Sequence, residues 1–132
     1  RRSMTEMEKN WNWNGRTYYF DITEPGCMRR LMEALEGLRN NLAQFRREQD
    51  TDDMLSCHCG ILQEFLDDVF GEGAGEDLCG KQLSAEVYSR AYLDFLDFVS
   101  RQMDGLEKMQ KEAEEKYHAR ARRMGLETEI AG

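Results

Sequence analysis

KNWNWNGRTYYFDI, residues 9–22, crowds aromatic and β-branched side chains around an Asn-Gly pair. Asn14 and Gly15 supply the two positive-φ positions of a type I′ turn, the two-residue loop whose twist matches the strands it joins. With that loop, Trp13 faces Arg16, Trp11 faces Tyr18 and Lys9 faces Phe20. Side chains alternate along a strand, so Trp11, Trp13, Tyr18 and Phe20 share one face, and Asn10, Asn12, Thr17, Tyr19 and Asp21 the other. A lone two-stranded ribbon is marginal in water. The aromatic face therefore needs a cover, and a helix from the same chain is the simplest one.

The helical period takes over beyond the hairpin. Thr23, Glu24 and Pro25 form a helix start, followed by Met28, Leu31, Met32, Leu35, Leu38, Leu42 and Phe45 at steps of three and four, which predicts a helix from Pro25 to Glu48. Asp50, Thr51 and Asp52 make a polar break and offer a cap to a second stripe of Leu55, His58, Ile61, Leu62, Phe65, Leu66 and Val69. Gly71, Gly73, Gly75 and Gly80 bracket a loop with one helical turn, Glu76 to Cys79. Ser84 caps a third long helix carrying Val87, Tyr88, Ala91, Tyr92, Phe95, Leu96, Val99, Met103 and Leu106. From Glu107 to Arg123 only Met109, Ala113 and Tyr117 remain apolar among Glu-to-Lys pairs, so this part protrudes or lies against a partner.

These elements imply a mainly α (α+β) fold: an N-terminal hairpin on a bundle of three main helices, ending in a long charged helix. The expected core is Leu31, Leu35, Leu38, Leu62, Phe65, Leu66, Tyr92, Phe95, Leu96 and Val99. One domain is expected over 9–106, a charged helical extension over 107–124, and flexible termini at 1–8 and 125–132. The 132 residues suit a single core.

Composition narrows the function classes. Twenty-six acidic residues against eighteen basic ones give a net charge of −8, which repels phosphate backbones and argues against nucleic acid. No apolar run reaches the ~20 residues that a membrane span needs, and the polar start lacks a secretion signal, so the expected site of action is the cytoplasm. Four cysteines in a helical chain read as reduced, mostly buried thiols.

Several patterns invite chemistry and fail on spacing. Cys57-His58-Cys59 offers zinc ligands, with Cys79 and Cys27 in reserve, but residues two apart on a helix point in different directions. Sequence adjacency likewise does not make a nucleophile and its base. Glu115-x-x-His118 has di-iron spacing but no second copy, since Leu55 stands three residues before His58. Gly71-Glu72-Gly73-Ala74-Gly75 follows a helix rather than a strand and carries acids that repel phosphate. A calcium loop begun at Asp68 puts Phe70 and Cys79 at ligand positions. No catalytic, cofactor or metal residue is assigned. Phe98, Met109 and Tyr117, outside or at the edge of the stripes, are the candidate protein-interaction residues, with core packing under the hairpin as the alternative for Phe98.

The aromatic hairpin with Asn14-Gly15, the two helices after it, and Phe65-Leu66-Asp67-Asp68-Val69-Phe70-Gly71-Glu72-Gly73 leading into the helix from Ser84 to Met103 resemble the tail assembly chaperones of long-tailed bacteriophages and prophages. The resemblance covers Trp11 to Met103. It implies a cytoplasmic, non-enzymatic factor in a bacterial host that binds the tape-measure protein or tail-tube subunits. A self-associating module using the helix after Glu107, and a metal-binding protein using Cys57, His58 and Cys59, are the alternatives.

Overall fold

The structure is a computed structural model that describes residues 7–48 and 54–125. Two antiparallel strands, β1 (Asn10–Trp13) and β2 (Arg16–Tyr19), precede four helices: α1 (Pro25–Glu48), α2 (Met54–Phe70), α3 (Ala74–Cys79) and α4 (Ala85–Arg123). The hairpin has the expected register, with Trp11 opposite Tyr18 and Trp13 opposite Arg16. Asn14 and Gly15 take φ of 53° and 78°, the mirror-image turn that an Asn-Gly pair adopts at least cost.

Its aromatic face lies on the helices. Trp11 and Phe20 are buried, Trp13 and Tyr18 partly so. Phe70, the last residue of α2, is the hub: its ring centroid stands 5.6 Å from Trp11, 5.0 Å from Tyr18 and 5.1 Å from Phe95 of α4. Offset and edge-on rings at these separations add to the area they bury. α2 packs against α1, α3 and α4 and forms the middle of the bundle. Its core face is Cys59, Leu62, Phe65, Leu66 and Val69.

Polar contacts then fix the ribbon in place. The Trp11 indole donates to Asp94 at 2.8 Å, the Tyr18 hydroxyl to Asp77 at 2.7 Å, and the Asn14 amide to the Leu78 carbonyl at 3.3 Å. Gln102 of α4 is buried with its amide fully used: Nε2 donates to the carbonyls of Glu8 and Phe20, each at 2.7 Å, and Oε1 accepts from the Ile22 amide at 3.1 Å. Asp21, also buried, accepts from the amide and hydroxyl of Thr23 and pairs with Lys9 at 3.5 Å. Burial opposes its charge, but the Thr23 donors and Lys9 outweigh that and hold its carboxyl below the ordinary value.

Helix ends follow from local chemistry. Ser84 accepts from the Val87 amide at 3.3 Å and starts α4. The Asp67 carboxylate accepts from the Gly75 amide at 2.7 Å and so caps α3, which is somewhat longer than the single turn expected. Arg30 of α1 donates to the Val69 carbonyl at the end of α2. α4 runs unbroken for 39 residues, ~58 Å at the usual rise.

Four expectations need correction. Met32 and Met103 are exposed rather than core, and Phe98 is core rather than surface. The reason for the last two is that the buried face of α4 keeps one phase from Tyr88 onward: at this height the cover is the hairpin's outer ends, and Phe98, Gln102 and Gly105, not Met103, lie on the side toward it. Leu35, Tyr92 and Leu96 line the edge of the core, half-buried. The N-terminal boundary moves as well, because Met7 packs against the core and Glu8 accepts from Gln102. The remaining terminal residues expected to be flexible, the cap at 50–52 and the side chain of Leu55 lie outside the described residues.

Candidate protein-docking surface

Trp13 ends β1 with its ring half-buried, 6.5 Å from Trp11 and nearly parallel to it. Its indole Nε1 is buried without a hydrogen-bond partner among the described residues, an uncommon state for a donor. Beside it run the first turns of α4, where Glu86, Arg90, Leu93 and Asp97 follow at helical steps on one face. Trp13 and Arg90 together line two adjoining shallow depressions of about 420 and 450 Å³; Val87 and Asn14 complete one, and Leu93, Asp94 and Asp97 the other. Leu93 is 62% exposed. Arg90 pairs with Glu86 at 2.8 Å, and Asp97 with Arg101, exposed ion pairs that a partner can exchange at little cost. The result is an aromatic floor, an aliphatic knob and a charged rim.

The three residues expected to bind protein are not brought together here. Phe98 is 2% exposed and packs in the core, so it is withdrawn as an interaction residue. Met109 is half-buried and Tyr117 is 57% exposed, both on the part of α4 beyond Leu106. The Trp13 surface was missed because Trp13 counted as hairpin core and Leu93 fell off every stripe. That second fact was the available signal: an apolar residue on the polar side of a helix.

The cysteines are dispersed. Cys57 is exposed, whereas Cys27, Cys59 and Cys79 are buried. α2 turns Cys57 and Cys59 to different sides, as a two-residue step on a helix requires. Among the described residues no group of three or more His, Cys, Asp or Glu side chains is placed to hold a metal ion. Burial raises the Cys59 thiol, and burial with Cys59 nearby pushes Cys79 up to about 11. Both stay protonated at neutral pH and are poor nucleophiles. Tyr88, whose hydroxyl has no partner, is likewise pushed up to about 12 by burial and by these thiols. The glycines from Gly71 to Gly75 serve the α2–α3 turn, with Gly71 and Gly73 at φ of 115° and 90°. No helix among the described residues is long and apolar enough to cross a membrane.

No curated protein and no solved structure matches the chain. A family profile does match, over residues 14–126, which takes in the turn of the hairpin, β2 and all four helices and begins one residue after Trp13. The chain thus belongs to the family described as Family of unknown function (DUF6673).

Proposed function

We propose that this protein acts by binding another protein rather than by catalysis, and that the Trp13–Leu93 surface is where the partner docks. One observation carries the reading: a half-buried Trp13, Arg90 and an exposed Leu93 line one shallow depression. Trp and Arg dominate the binding energy of protein interfaces, and the Trp13 ring with Leu93 offers a partner apolar area to cover. The resemblance to tail assembly chaperones supplies the partner class, a tape-measure protein or tail-tube subunit, and with it the cytoplasm of a bacterial host as the place of action.

Co-expression with a candidate tape-measure or tail-tube protein, followed by affinity capture and titration, tests this. Leu93→Glu and Arg90→Glu lie on the surface and leave the core alone. Each is expected to weaken capture at least tenfold, in line with ~2 kcal/mol for a central contact. Undiminished binding by both variants would move the docking surface elsewhere, and absence of any binding to these proteins would remove the partner class.

A further inference from the structure

α4 carries two apolar stripes in different phase. Tyr88, Ala91, Phe95, Phe98 and Gln102 follow at steps of three and four, all buried against the chain's own domain. That stripe closes at Gly105, where a Cβ would come within 3.2 Å of Met7 Cγ. A second stripe, Met103, Leu106, Ala113, Tyr117 and Met124, interrupted by Gln110 and Arg120, keeps the same heptad spacing one residue later and is therefore rotated by ~100°. The domain covers only its start, where Leu106 packs half-buried against the core; Met103, Tyr117 and Met124 are 55%, 57% and 64% exposed. From Glu107 to Tyr117 every residue except the half-buried Met109 is exposed.

Charge says what fits this face. Asp104, Glu107, Glu112, Glu114 and Glu115 against Lys108 and Lys111 make the first half net −3, whereas Lys116, Arg120, Arg122 and Arg123 make the second half +4 with no acid among them. Two parallel copies would set like charge on like. Two antiparallel copies set each acidic half along the other's basic half.

We infer that a second copy of this chain pairs antiparallel along α4 between Asp104 and Met124. A two-fold axis beside Glu115 places Ala113 of each copy opposite Tyr117 of the other, and Leu106 opposite Met124, small or flexible residues against large ones. Glu115 itself, two residues from Ala113, points away from the seam. Ala121 is already buried in the single chain, so the contact runs beside it through Tyr117 and Met124. The pairing surface is one helix face ~30 Å long, below the size of a permanent interface, and the dimer is reversible.

Sedimentation of the full chain across a concentration series at low and high salt is the test. The expected result is a monomer–dimer equilibrium that weakens severalfold as salt rises, because the attraction is between exposed opposite charges. Tyr117→Glu should raise the dissociation constant at least tenfold, and Leu93→Glu should leave it unchanged, which separates this seam from the docking surface above. Two charge variants complete the design: Lys116, Arg120 and Arg123 all to Glu, and Glu107, Glu112 and Glu114 all to Lys. Each alone should be monomeric where the unmodified chain dimerises, with circular dichroism confirming that it is folded, and an equimolar mixture should recover the dimer mass. A monomer at every concentration and salt, a dimer strengthened by salt, or variants that dimerise unaided would each overturn the inference.

Discussion

Gln102 shows how much can rest on one side chain. It closes three backbone groups of the N-terminal segment, and no apolar isostere can replace its amide. Gln102→Leu strands those groups in the interior and is expected to cost ~2–4 kcal/mol in urea unfolding. Asp21 adds a pH dependence. Its folded carboxyl titrates below its unfolded value, so the stability it contributes is present above the ordinary carboxylate pKa of ~3.9 and is lost as pH falls through the lower, folded one. Asp21→Asn should therefore be less stable than the unmodified chain at pH 7, and thermal melts of the two should converge in acid. Thiol labelling offers a third check: exposed Cys57 should react readily at pH 8, and buried Cys59 and Cys79 only on unfolding. Neither Gln102 nor Asp21 was legible in advance. A polar letter reads as surface unless its partners, here as many as 94 residues away, are known.

Elements were more readable than residues. The hairpin, both ends of α1, and the Ser84 cap all followed from local rules, because Asn-Gly turns, proline starts and serine caps act within a few residues. α3 was only half anticipated, since its cap comes from Asp67 in the preceding helix and its seat from Gly75. A Cβ at Gly75 would lie 2.9 Å from Gln63 Cγ and 3.0 Å from the Gln63 carbonyl. Gly75→Ala should thus destabilise by ~1–3 kcal/mol, measured by denaturant midpoint, because the backbone oxygen cannot step aside. The two stripes of α4 were invisible to a single-stripe reading: both repeat at the same spacing, and periodicity alone does not say which one meets the domain.

In the molecule as a whole, packing is concentrated before Leu106 and the last part of α4 stands mostly in water. Ending the chain after Leu106 is expected to remove the ellipticity of roughly the last seventeen residues of α4 and to shift the Tm of the remaining domain by less than ~5 °C at low protein concentration. A loss well beyond that would show that the extension braces the domain. Fold class, the hairpin register and the net acidic charge could be read from the letters, because turn chemistry, side-chain period and net charge are properties of neighbouring residues or of simple sums. Which methionines and phenylalanines are buried, where the amide of Gln102 and the indole of Trp13 end up, and that Cys57 and Cys59 part company required the packed chain. Those outcomes depend on which elements meet at a given height, and that is decided by contacts between residues far apart in sequence.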